Sequence, residues 1–173
     1  MERSDIIEIV RQGKLFMNQA ERTRWQVMEC KKRYDETMTK LDKLRRRMVF
    51  VERETPEILE LVSVMMDLEV VRVEKKSMEN KFKNLIAASI SYTLTAVELL
   101  NVDSTYISSQ IVLVLRQAVM LIRSVRELNI DFSSIYAQAV KTRILMNCIN
   151  DKENRMVYGS ISRYLNQLIN SIE

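Results

Sequence analysis

The chain has 173 residues, 47% of them apolar, with 27 Lys and Arg against 23 Asp and Glu for a net charge of +4. That length fits one domain, and the balance of apolar and charged residues fits a protein built from long helices rather than a disordered chain. There is no histidine, and glycine and cysteine occur twice each, which excludes histidine-based nucleophile and metal systems, a glycine-rich phosphate loop and a disulfide framework.

The first residues carry Glu2, Asp5 and Glu8 where a secretory leader needs positive charge, so no signal peptide is expected. Ile6, Val10, Phe16 and Met17 are spaced as a short amphipathic helix, with Gly13 as a candidate bend. Residues 14–55 then read as one long helical arm. Val27, Tyr34, Leu41 and Met48 recur every seven residues, Cys30, Leu44 and Val51 fill the three-residue offset, and Met38 widens the face; this is a helix-packing seam.

Pro56 is the only proline. Proline suits the first turn of a helix and pushes the preceding residue out of helical geometry. A corner is therefore expected, with Thr55 as N-cap and Pro56 as the first helical residue. A second arm over 57–100 carries Leu61, Met65, Leu68, Val71, Met78, Phe82, Leu85, Tyr92, Ala96 and Leu99 at spacings of mostly three and four, interrupted by Lys75 and Ser89. The two arms are expected to pack antiparallel as a hairpin about 65 Å long. Leu41, Leu44, Met48, Leu61, Leu68, Phe82 and Leu85 would be its core.

Past Leu100 come shorter helices, within 104–173. Asp103 or Ser104 caps a third over about 105–128, apolar nearly all round but for Arg116 and Arg123 seven residues apart, and so buried on more than one side. Its run Ile111–Ile122 is too short to span a bilayer. Asp131 or Ser133 caps a fourth, to about Ile149, with Ile135, Ile144, Leu145 and Cys148 as its apolar positions. After a polar loop at 150–154, a last helix carries Ile161, Leu165, Leu168 and Ile172. No strand pattern, repeat or low-complexity tract is visible, so the fold class is all-α, one helical domain over 1–173.

The chemistry is that of a non-enzyme. Cys30 and Cys148 read as small apolar packing residues, and pairs such as Glu57/Glu60 as solvated surface charge. No catalytic, cofactor or metal residues are assigned. The one suggestive feature is charge asymmetry: residues 22–47 hold ten basic and four acidic residues, or +6, while 48–100 hold six basic and nine acidic, or −3. Either the faces of two paired helices complement each other, or the basic arm faces a polyanion. Arg24, Lys31, Lys32, Arg45 and Arg46, off the seam, are the candidate membrane-binding set, with Trp25 among them.

This layout resembles the core of the ESCRT-III family, including the short archaeal cell-division paralogues, over about residues 22–150. The resemblance rests on Lys40-Leu41-Asp42-Lys43-Leu44-Arg45-Arg46-Arg47 in the first arm, Asp67-Leu68-Glu69-Val70-Val71-Arg72 in the second, and the stretch from Leu94 to Val102. It implies an ESCRT-III-like helical bundle: a basic first helix, a long hairpin with an acidic second arm, and shorter helices behind. It also implies a cytoplasmic, peripheral membrane subunit that polymerises with itself or with paralogues on anionic membranes, in membrane remodelling or cell division. The hairpin corner lacks the charged insertion of many members. Arg163, Leu165 and Leu168 only partly echo the motif read by the family's disassembly ATPase, so a short copolymerising paralogue is the expected kind. The alternative readings are a dimerising helical adaptor or viral structural protein without membrane activity, and a helical nucleic-acid-binding protein using the same basic face.

Overall fold

The computed structural model describes residues 3–48, 56–100, 105–147 and 155–173. Among these the protein is all-helical: α1 (Arg3–Met48), α2 (Pro56–Leu99), α3 (Thr105–Ser124), a 3-10 turn (Arg126–Leu128), α4 (Ser133–Asn147) and α5 (Arg155–Ile172). Pro56 is the first residue of α2, where its missing N–H costs nothing. The expected caps at Thr55, Asp103 and Ser104, the loop at 150–154 and Cys148 lie outside the described residues.

The chain divides into two compact units, Met1–Arg22 with Phe82–Glu173, and Thr23–Lys81. Helices α1 and α2 each contribute to both.

The first unit has a multi-helix core. α3 buries one broad face, through Ile107, Ile111, Val114, Leu115, Ala118, Val119, Leu121 and Ile122, and exposes Tyr106, Leu113 and Met120 on the other, so the expected burial on more than one side is not met among the described residues. By length and composition Tyr106–Ser124 could cross a membrane, and 44% of that stretch is buried inside the protein. The helix ends earlier than the periodicity predicts. Residues 126–128 tighten into the 3-10 turn, and Asn129 closes it in the left-handed region at φ 53°, a conformation asparagine tolerates better than most residues. The Asp131 carboxylate then accepts the Ser133 backbone N–H at 2.9 Å and starts α4. α5 packs on α3 and α4, and its Ile161, Leu165 and Leu168 are fully buried as expected.

Three expectations in this unit are corrected. Gly13 does not bend α1, which is continuous from Arg3 to Met48. It lets another helix come close: a Cβ there would stand 2.7 Å from Thr93 Oγ1 and 3.2 Å from the Ser89 carbonyl oxygen. Ser89 is no interruption of the apolar stripe either. It is fully buried, its hydroxyl donates to the Gly13 carbonyl, and Thr93 donates to the Ser89 carbonyl at 2.8 Å. In α4 the inward line is Ile135, Ala139, Thr142 and Met146, while Ile144 and Leu145 are exposed. Thr142 satisfies its hydroxyl on the Gln138 carbonyl at 3.0 Å, so small and polar residues fill a close packing face that hydropathy assigns to larger ones.

The second unit is a two-helix seam. Leu41 and Leu44 of α1 pack with Val64 and Leu68 of α2, flanked by Tyr34, Met38, Leu61 and Val71. The pairing is antiparallel, as expected. Val64 takes the buried place expected for Met65, which is exposed, because the inward line of α2 runs 61, 64, 68, 71. Of the expected core, Leu41, Leu44 and Leu68 are buried here, whereas Met48 and Leu61 are half-buried. Phe82 is fully enclosed and Leu85 half-buried, both within the first unit. Lys75 belongs to the seam: its ammonium sits 5.2 Å from the Tyr34 ring centroid and 2.9 Å from Glu79 Oε1.

Candidate functional site

All five candidate membrane-binding residues lie on the α1 part of the second unit. Arg24, Lys32, Arg45 and Arg46 are exposed and have no partner among the described residues. Lys31 differs: it is half-buried and paired with Asp35 one turn on, at 2.7 Å. Arg45, Arg46 and Arg47 form the last turn of α1, where cations also complement the negative end of the helix dipole.

A second basic line, which the sequence reading did not separate, runs along the edge of the seam. Arg33, Lys40 and Arg47 are seven residues apart on α1, and Glu60, Asp67 and Glu74 are seven apart on α2. Arg33 Nη1 stands 3.3 Å from Glu74 Oε2. Lys40 and Arg47 continue that line of α1 but, like Arg24, Lys32, Arg45 and Arg46, they are exposed and have no partner among the described residues. The charge asymmetry of the arms is thus met by facing acids at one position, Arg33 on Glu74.

The outer faces of the two helices differ. On α1 the side away from the seam is polar and basic, with Lys32, Lys43 and Arg46 exposed. On α2 it is apolar: Leu59, Val62, Met66, Val70 and Val73 are 48–76% exposed. At 100° per residue these five centre about 180° from the buried line Leu61, Val64, Leu68, Val71. Trp25, the only tryptophan, is 70% exposed and lines an open groove with Glu29, Arg33, Val73, Glu74 and Met78.

Nucleophiles and acids are dispersed. Cys30 is buried, with Arg33 Nη2 at 3.4 Å from its sulfur, and among the described residues no cluster of three Cys, Asp or Glu side chains could hold a metal. The perturbed groups are local. Glu8 is lowered to about 2 by hydrogen bonds from Arg11 and then Gln12, Asp131 is lowered by its bond from Ser133, and Tyr158 is raised by burial, its hydroxyl donating to the Leu100 carbonyl. Each belongs to a helix end or a packing contact. Comparison of the chain with family models, with curated proteins and with solved structures finds no match.

Proposed function

We propose that the protein is a non-enzymatic structural subunit that assembles on anionic membranes, in the manner the ESCRT-III resemblance implies, with the exposed basic residues of α1 toward the lipid. The observation that carries the reading is the charge of α1 that no facing acid meets. Arg24, Lys32, Arg45 and Arg46 are exposed and have no partner among the described residues, whereas Arg33 pairs with Glu74 of α2. At about 1 kcal/mol per basic residue near an anionic surface, four such side chains supply useful, salt-sensitive binding. Copies of itself or of paralogues complete the assembly. The second reading, a helical adaptor that dimerises without a membrane, is favoured by one observation of its own, the apolar outer face of α2.

The test is sedimentation with anionic and neutral liposomes, with electron microscopy for filaments. The wild type should pellet with anionic vesicles only, and less as salt rises. Arg45→Glu with Arg46→Glu should lose most of this binding at unchanged helical content. Wild-type protein that ignores anionic vesicles sinks the membrane reading. If it also retards DNA or RNA in a gel, the basic face serves nucleic acid instead.

A further inference from the structure

The outer face of α2 has an arrangement that its exposure alone does not convey. Leu59, Val62, Met66, Val70 and Val73 lie at −7, −4, 0, +4 and +7 from Met66. The stripe reads the same in both directions along the helix. A face with that symmetry is self-complementary under a twofold axis perpendicular to the helix, which reverses the chain direction and returns every apolar position onto an apolar position. An isologous interface demands this, and its spacing of mostly three and four residues is that of a helix-helix seam.

We propose that this face is the interface of an antiparallel homodimer, with α2 packing on α2 of a second copy about a twofold axis at Met66. Met66 meets its own mate, Leu59 meets Val73 of the other copy, and Val62 meets Val70. The two α2 helices form the middle of a four-helix arrangement with α1 outermost on each side. Because α1 lies on the opposite side of α2, its basic face stays free. The proposal deepens the self-association half of the proposed function and is independent of its lipid half.

Two observations favour a second copy over the other occupants of an apolar stripe. The first is area. The five side chains, half to three-quarters exposed, present on the order of 500 Å², near the top of the ~300–600 Å² that a monomer carries in its largest patch. Pairing two copies removes about twice that, reaching the ~1,000 Å² expected of a specific interface. The second is charge. The acidic line Glu60, Asp67 and Glu74 runs along one flank of the stripe, so laying this face on an anionic bilayer would bring carboxylates to the head groups. In the dimer those acids run beside their symmetry mates, a like-charge cost that solvent screens at the exposed rim and that Arg33, already on Glu74 at 3.3 Å, offsets at that position.

The geometry is tested by position-specific thiol crosslinking in solution without lipid, with the unmodified chain as background for Cys30 and Cys148. Met66→Cys should crosslink to a dimer efficiently with a short thiol-to-thiol reagent. Leu59→Cys alone should stay at background, and Leu59→Cys mixed with Val73→Cys should crosslink. In sedimentation, Met66→Lys sets two ammonium groups against each other on the axis and should raise the dimer dissociation constant at least tenfold, with unchanged circular dichroism. Trp25 fluorescence, beside Val73 in its groove, should follow the same transition. The proposal is overturned if the unmodified chain is monomeric at hundreds of micromolar. It is equally overturned if Leu59→Cys crosslinks to itself as well as Met66→Cys does, or if crosslinking needs liposomes. A dimer that forms as described while anionic vesicles are ignored would sink the lipid half alone.

Discussion

The two units answer the same physical problem differently. In the first, segments of α1 and α2 share a core with α3, α4 and α5, and a helix as apolar as α3 buries a broad face of eight apolar side chains. In the second unit the core is the seam of α1 on α2. A two-helix seam buries one stripe per helix, so a helix with two apolar stripes keeps one exposed. α1 avoids this by making its outer face charged. α2 does not, and Leu59, Val62, Met66, Val70 and Val73 stand in solvent. The lesson is that surplus apolar surface in a thin part of a molecule is better evidence of association than the same composition in a thick part. On α3 the exposed apolar residues are the three-member line Tyr106, Leu113 and Met120, seven apart and flanked by Arg116 and Arg123, whereas the α2 stripe has five members at spacings of three and four.

The largest expected effect breaks the comparison at its densest point. Phe82 is fully enclosed, so Phe82→Ala should cost about 3–5 kcal/mol. Leu68→Ala, in the thinner seam, should cost about 2–3 kcal/mol, because the site can partly collapse. Denaturant unfolding measures both, and equal costs would show the seam to be packed as tightly as the multi-helix core. Gly13→Ala comes next. Its methyl group would press on Thr93 Oγ1 and the Ser89 carbonyl, and overpacking of that kind costs about 1–3 kcal/mol, less the ~0.5–1 kcal/mol that alanine gains over glycine in a helix. Thr93→Ala in the same chain should recover part of the loss, which a double-mutant cycle reads directly.

Smaller effects sharpen the contrast. Met66→Lys should change the unfolding free energy of the isolated monomer by no more than about 0.5 kcal/mol, since the face it occupies is not part of the fold of one copy. The smallest concerns Asp131. Its carboxyl is held below the ordinary carboxylate range by the Ser133 N–H, so its contribution is present above the unfolded-state pKa. It is lost as pH falls through the lower folded value. Asp131→Ala should therefore lower the melting temperature slightly at neutral pH, and the difference from the unmodified chain should vanish in strong acid.

Much of this was legible in the sequence because it follows from local rules. The periodicity of 3.6, Pro56 at a helix start, the end of α2 at Leu99 and the break near 129–133 need only the chain itself. So does the seam through Leu41, Leu44 and Leu68. The basic candidates Arg24, Lys32, Arg45 and Arg46 were also readable, since residues off an apolar stripe face solvent. What the sequence did not disclose depends on which element lies opposite. Val64 rather than Met65 enters the seam, and Ala139 and Thr142 rather than Ile144 and Leu145 are the buried residues of α4. Hydropathy ranks side chains by transfer free energy, whereas a close helix contact selects them by size.

The sequence by itself determined that this chain is helical, where α2 begins and ends and where α3 begins, and that it has no histidine. Only the tertiary structure decided that Gly13 is a contact and not a bend, and that Ser89 belongs to the core. It also paired Arg33 of α1 with Glu74 of α2 and turned one of the two apolar stripes of α2 outward. The physical reason is that periodicity fixes which residues share a face, while the partner of that face is set by contacts between segments dozens of residues apart, which no local pattern encodes.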